Sequence, residues 1–387
     1  MGTGSITDNF FVEQSEKSAI KSAIVSNFFK VYLRIISFRF KNEDIYYIDL
    51  FSGPGRYENN KQSTPLYIMD AVEFFNDKQI LSRIHFVFNE AEKKYYSALV
   101  DNIKSHNIYS KLKNPPIITN KPADQIDLSM YLSSNIPVFS FIDPFGYKST
   151  SAKQIWDLVH SVGSDCVFFF NANIIIVDFN KDNKERDFKD LFGNRYDELS
   201  ERITKCKSHH DKMVAVLDEF SLNLMDIVKR EKYNYSLFIL PFGFSFDDRE
   251  KESHYLLFIT KNHKAVSEMK KIMNKLATSI GDIYSYDTKK VNQIPLFDLE
   301  TDAYINFKKT IEYFKTYIIG KKWTLPGFLM YIDELSMKRF HKVTPFTPKD
   351  SRQFLRKLYD EGIIKSGKAF SAREIFSDSR EFCIESV

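Results

Sequence analysis

Tyr46-Tyr47-Ile48-Asp49-Leu50-Phe51-Ser52-Gly53-Pro54-Gly55-Arg56-Tyr57 decides how this chain is read. The apolar run Ile45–Phe51 ends in a Gly/Pro cluster, which predicts a buried strand followed by a turn. At the carboxyl end of a first parallel strand, Gly53 and Gly55 would let a ligand press against bare backbone. The third glycine of the dinucleotide fingerprint is missing, and Pro54 has no N–H to give a phosphate. The turn therefore suits a ligand without a phosphate. Asp49 would sit beneath it and hold loop N–H groups or a cationic ligand.

Working outward, helical spacing of Ile20, Ile24, Phe28, Phe29, Tyr32, Leu33 and Ile36 predicts a helix over 15–37, ahead of the first strand. Pro65–Phe75 and Ala91–Ile103 read as helices, and Arg83–Phe88 as a strand. Glu90 closes that strand, placed to take both hydroxyls of a ribose. It follows Gly55 by 35 residues, where nicotinamide-binding enzymes use about 20; the loop Glu58–Thr64 supplies the extra length. Strands follow at 116–118, 136–142 and 166–173, with a helix over 152–162. Asp124, after the third strand, is placed to meet an adenine amino group. Strands apolar on both faces, alternating with helices, predict a parallel α/β sheet with covered faces.

A charged, mostly helical insertion spans 181–232. Two strands, 236–245 and 254–260, then flank the acidic turn Asp247–Glu252 as in an antiparallel hairpin, and Ala265–Leu276 is helical. Beyond Pro295 come helices at 304–319, 325–335 and 348–361, the last opened by Thr347-Pro348, and a short hairpin at 362–370. Three helices and a two-stranded flap are winged-helix grammar. The expected organisation is an N-terminal helical segment (1–40), a catalytic-type domain (41–290) and a winged-helix domain (300–387).

The fourth strand ends in Asp143-Pro144-Phe145-Gly146-Tyr147. Ligands of doubly wound sheets bind outside the carboxyl ends of the strands, so Asp143 would face the same crevice as Gly53. With the strand–acid–turn and Glu90, these residues resemble the class I S-adenosylmethionine-dependent methyltransferases. Asp-Pro-Phe-Gly resembles the Asp/Asn-Pro-Pro-aromatic motif of amino-group methyltransferases, and more closely that of tRNA guanine exocyclic-amine methyltransferases. The resemblance implies that Asp143 and the Pro144 carbonyl accept the hydrogens of a base amine. Phe145 or Tyr147 would stack on a base taken out of its helix. It also implies cofactor contacts from Asp49, Phe51, Gly53, Gly55, Glu90 and Asp124. A strand-end turn with Asp143 capping the next helix is the alternative.

Together with Ser63-Thr64-Pro65-Leu66 and the strand His254–Asn262 leading to Met269 and Met273, these motifs resemble the three-Cys-motif partner (TcmP-type) proteins of bacteria and archaea over about residues 15–280, with a winged-helix tail. The family usually reads Gly-Ser-Pro where this chain has Ser63-Thr64-Pro65. That resemblance implies a Rossmann-like methyltransferase sheet with covering helices, S-adenosylmethionine as cofactor, and a genomic partner with a three-cysteine motif, itself similar to radical S-adenosylmethionine proteins.

Composition limits the remaining choices. The chain has 387 residues, 43% hydrophobic and 27% charged, which excludes a disordered or collagen-like polymer. The net charge of +4 is small, yet Lys321–Val387 holds 13 Lys/Arg against 9 Asp/Glu, so the whole excess lies in the C-terminal module. Arg352, Arg356 and Lys357 on its third helix, with Lys365 and Lys368 on the flap, form a phosphate-contact set for DNA or RNA; protein docking is the other reading of that mixed-sign surface. Lys338, Arg339, His341 and Lys342 make a basic cluster before it. Three cysteines, no signal pattern and no long apolar run predict a cytoplasmic protein outside the membrane. Cys206, His209 and His210 are too few for a structural zinc, and no metal is expected. The expected activity is methyl transfer to a base amine of nucleic acid. The rival is a non-catalytic scaffold of the same fold that docks the three-cysteine partner. A small-molecule O-methyltransferase is disfavoured by the Asp-Pro-Phe-Gly motif and the basic tail.

Overall fold

The computed structural model describes residues 11, 13–132, 135–179, 184–232, 236–245, 252–287, 296–365, 376 and 381–385. The chain divides into two compact units: Met1–Leu237 with Ser253–Asn262, and Phe238–Glu252 with His263–Val387.

The first unit begins with α1 (Glu16–Arg39), β1 (Ile45–Asp49), α2 (Thr64–Phe75), α3 (Lys78–Arg83), β2 (Ile84–Asn89), α4 (Lys93–Lys104), β3 (Ile117–Thr119) and β4 (Val138–Ile142). It continues with α5 (Ala152–Val159), β5 (Asp165–Phe170), α6 (Ala172–Asp178), α7 (Glu185–Phe192), α8 (Tyr196–Lys205) and α9 (His209–Arg230). After β6 (Phe238–Ser245) the chain returns to it with β7 (Glu252–Thr260). The second unit then adds α10 (His263–Leu276), β8 (Ser279–Ile280), β9 (Tyr284–Tyr286), α11 (Leu296–Ile318), β10 (Lys322–Trp323), α12 (Leu325–Phe340), α13 (Pro348–Asp360) and β11 (Phe382–Cys383).

In the first unit the strands run β3-β2-β1-β4-β5-β7. The first five are parallel, and β7 pairs antiparallel with β5, Asp165 opposite Thr260. This is a Rossmann-like sheet whose strand order reverses between β1 and β4, the place where such sheets bind ligands. β4 is buried throughout and β1 nearly so, as covered parallel strands require. Phe28 and Phe29 of α1 press on Phe139 of β4 with ring centroids 5.7 and 5.5 Å apart. Each such buried phenylalanine contributes about 1.5–3 kcal/mol.

Two local outcomes depart from the pattern in the sequence. β5 stops at Phe170, because the Asn171 side chain accepts the Ile174 N–H at 3.1 Å and starts α6. A continuous strand over 166–173 therefore does not form. The charged stretch after it folds as α7–α9, held by Arg202 on Asp218 (3.0 Å) and Glu219 (2.6 Å), and Arg195 on Asp226 (2.7 Å).

In the second unit β6 pairs parallel with β9, and β9 antiparallel with β8. Thr347 caps α13 in a reciprocal capping box with Asp350, and Pro348 takes the first turn. β10, between α11 and α12, pairs antiparallel with the C-terminal β11. A buried ionic knot ties this unit: Asp333 Oδ2 takes Lys270 Nζ at 2.6 Å and His263 Nε2 at 2.8 Å, while Oδ1 takes the Thr344 N–H at 3.0 Å. The Lys270 and His263 charges hold Asp333 down at about 2 against the cost of burial. The turn of the expected hairpin, 246–251, and most of the expected flap, 366–370, lie outside the described residues. Among the described residues no helix is long and apolar enough to cross a membrane.

Candidate active site

Strand register gathers three carboxylates at one end of the sheet. Asp49 is the last residue of β1, opposite Phe88 of β2 and Phe141 of β4. Glu90 and Asp143 each lie two residues beyond those partners, one on either side of Asp49. The three acids therefore leave adjacent strands at the reversal point.

Asp49 is buried beneath the turn. Its Oδ1 accepts the Phe51 N–H at 3.1 Å and its Oδ2 the Tyr47 hydroxyl at 3.3 Å. Burial pushes its pKa up to about 8, and the neighbouring Asp143 charge adds to the rise. Of the two roles expected for Asp49, holding loop N–H groups is thus visible in the fold. Gly53 and Gly55 have φ of +64° and +82°, the left-handed region that a side chain strains. Glu90 closes the other side: Oε2 accepts the Gly53 N–H at 2.9 Å and Oε1 the Glu92 N–H at 2.8 Å. Burial raises its pKa. With about four acceptor sites on its two oxygens, the carboxylate keeps acceptor capacity for a diol.

Sequence reasoning missed two groups here. The first is Lys21, buried on α1, whose Nζ forms an ion pair with Asp143 Oδ2 and stands 4.4 Å from the centre of the Phe169 ring. Its signal was a polar stripe, Ser18, Lys21, Ser22 and Ser26, buried on a helix otherwise read for its apolar face. Ser22 also bonds Thr64 at the start of α2, at 2.9 Å. The second is Phe11. Its ring covers Gly53 so closely that a Cβ there would come within 2.9 Å of it. Tyr95, Phe145 and Tyr57 surround that ring at centroid distances of 4.7, 5.9 and 6.0 Å. The Phe11 carbonyl accepts the Glu58 N–H at 2.8 Å. Burial pushes the Tyr57 hydroxyl up to about 12. An aromatic lining beside carboxylates, with bare backbone and no phosphate cradle, fits a cationic ligand that carries a ribose.

The remaining expected residues divide. Pro144 is buried, and Phe145 is 47% exposed beside Phe11. Tyr147 is buried, and its hydroxyl accepts the Asn171 N–H at 2.6 Å, so it anchors α6 and is not open to stack a base. Asp124 lies exposed on the wall of a groove of about 840 Å³ that also holds Lys148, Thr150 and Gln154. Asp49, Gly53, Glu90 and Asp143 do not line that groove.

In the second unit Arg352 Nε donates to the Phe376 carbonyl at 3.1 Å. Lys357 Nζ sits 3.9 Å over the Tyr304 ring, whose hydroxyl bonds Glu361 at 2.6 Å. Arg356 is half-buried and Lys365 exposed; Lys368 lies outside the described residues. Asp70, Glu73 and His106 cluster on α2 and the turn after α4. His106 Nδ1 accepts the Ile108 N–H at 3.3 Å and its Nε2 pairs with Asp70 at 2.9 Å, so both ring nitrogens are in use.

No protein-family model matches the sequence, and no curated protein matches it. Among solved structures the chain is similar to an S-adenosyl-L-methionine-dependent methyltransferase from Methanococcus maripaludis, at 13% identity over 64% of this chain and 90% of that one, with a TM-score of 0.28. It is similar also to a Legionella pneumophila protein at 14% identity, over 66% and 91%, with a TM-score of 0.36. A third is the O-methyltransferase TomG of Streptomyces achromogenes, solved with its S-adenosylmethionine, at 9% identity over 66% and 94% and a TM-score of 0.31. Similarity at this level assigns neither substrate nor cofactor.

Proposed function

We propose that the first unit is an S-adenosylmethionine-dependent methyltransferase acting on a base amine of nucleic acid. One observation carries the reading: Asp49, Glu90 and Asp143 leave three adjacent strands at the reversal of the sheet, around a bare Gly-Pro-Gly turn. The cofactor supplies an electrophilic methyl group on a sulfonium. Glu90 takes the ribose diol with its remaining acceptor capacity, and the rings of Tyr57 and Tyr95, from which Phe11 is displaced, face the positive charge. Asp124 at the adenine is not needed for this reading.

An exocyclic base amine is a weak nucleophile because its lone pair is delocalised into the ring. Asp143 and the Pro144 carbonyl accept its two hydrogens and localise that pair toward the methyl group. Lys21 holds Oδ2 of Asp143, which leaves Oδ1 for the amine. Phe145, the exposed ring beside them, stacks on the base.

α11–α13 with the β10–β11 pair support a winged helix in the second unit. The scaffold reading, in which the fold docks a three-cysteine partner without catalysis, separates from this one in a single titration. Calorimetry with S-adenosylmethionine is expected to show binding, and tritium from the labelled cofactor is expected in total nucleic acid. Asp143→Ala is expected to abolish transfer and leave the cofactor Kd within threefold. Absence of cofactor binding at millimolar concentration refutes the enzyme reading. Transfer by Asp143→Ala at the wild-type rate refutes the role of Asp143.

A further inference from the structure

The basic groups of α13 are engaged within their own unit, Arg352 on a carbonyl and Lys357 on the Tyr304 ring. A different surface of that unit combines open aromatic faces with cations. One face of α11 carries Asn306, Lys309, Tyr313 and Tyr317 at successive helical turns. Tyr313 and Tyr317 are 48% and 50% exposed. Across from them the end of α12 brings Phe340, 38% exposed, with its ring 5.2 Å from Tyr313. Arg339 donates to the Tyr313 hydroxyl, and its guanidinium lies 5.9 Å from that ring. Lys342 follows. Tyr313, Phe340 and Phe346 wall a cavity of about 200 Å³, with Lys309, Lys342 and Asn306 also lining it.

Asp282 is the one carboxylate among the described residues of that lining, against two lysines. Among the described residues neither lysine has a carboxylate partner. At about 200 Å³ the cavity is smaller than the roughly 300–1,000 Å³ of a small-molecule site, and a single ring system, not a whole nucleotide, is what it is sized for. Exposed aromatic faces interleaved with uncompensated cations are what a single strand uses, because its bases present their faces and its backbone carries the charge. A duplex hides those faces in its stack.

We infer that this cavity is a single-stranded nucleic-acid site: one base enters against Tyr313 and Phe340, and Lys309 and Lys342 meet the flanking phosphates. It shares with the reading of the first unit only the class of substrate. Its test needs no methyl donor, so the two fail separately.

Fluorescence anisotropy with the full chain measures binding of a labelled mixed-sequence RNA strand, the same DNA strand and the duplex, across a salt series. Tighter binding of either strand than of the duplex is expected, and the RNA and DNA arms identify which polymer is preferred. Tyr313→Ala is expected to raise Kd about 5- to 150-fold, the range for loss of one base–aromatic stack. Tyr313→Phe keeps the ring and is expected to stay within twofold. Lys309→Gln is expected to lower the slope of log K against log salt by about 0.7. A circular-dichroism melt confirms that each variant is folded; Tyr313 is half exposed, so all are expected to match the wild type. Unchanged Kd in folded Tyr313→Ala overturns the site. So does tighter binding of the duplex, or no binding of any strand, the result expected of a protein-docking surface.

Discussion

Replacing Lys21 by methionine removes one charge from an ion pair whose side chains are 8% and 21% exposed, and leaves Asp143 beside the buried Asp49 with no ion-pair partner among the described residues. Breaking a buried pair from one side costs about 3–5 kcal/mol. The fifth of Asp143 that reaches water puts the loss at the low end, about 3 kcal/mol. In a unit of this size that lowers the melting temperature by about 6–12 °C. Methionine is unbranched like lysine and fills much of the same buried volume, so packing changes little. The decisive assay is a double-mutant cycle in urea at pH 7. Lys21→Met with Asp143→Asn removes both charges and is expected to recover at least about 2 kcal/mol relative to additivity, since the two groups are in direct contact. Additive losses, or a Lys21→Met melting temperature within about 2 °C of the wild type, refute the claim that the pair is buried and coupled.

Two other outcomes are expected. Asp49 carries a folded-state pKa of about 8 against an ordinary 3.8, so its contribution to stability is complete below pH 4 and is lost as pH rises through 8. The slope reaches up to about 1.4 kcal/mol per pH unit; Asp49→Asn is expected to flatten it in urea midpoints taken from pH 4 to 9, and identical slopes would contradict the assignment. Tyr147→Phe removes the partner of the half-buried Asn171 N–H, at a cost of about 1 kcal/mol, the low end for a stranded donor. It is expected to lower the thermal midpoint while methyl transfer survives in the folded fraction, and loss of transfer without loss of stability would return Tyr147 to the base-stacking role.

Much of the first unit was legible because each of its elements has a local signature. The apolar stretches around Ile45 and Val138, and α2 and α4 between them, each fall within a few residues of their expected bounds, while the six-residue α3 was not expected. The carboxyl-end placement of Asp49, Glu90 and Asp143 follows from strand ends alone. What stayed hidden depends on tertiary contact. Nothing local marks Phe11, whose partners lie 42 to 134 residues away, as the cover of Gly53. Lys21 read as one more charge on a helix, because burial of a polar stripe is decided by what packs on it. β8, β10 and β11, of two residues each, are too short to show a period. Tyr147 and Phe145 are separated by one residue and by opposite exposures, which a motif cannot resolve.

Phe11 has a thermodynamic meaning for anything that binds at the glycine turn. The volume over Gly53 already belongs to a ring buried against Tyr57 and Tyr95, so an incoming molecule must first displace a tenant. Returning a buried phenylalanine to water takes about 1.5–3 kcal/mol, which weakens an apparent dissociation constant by roughly 10- to 140-fold. A substitution at Phe11 therefore adjusts ligand affinity as directly as changing a residue of the turn itself.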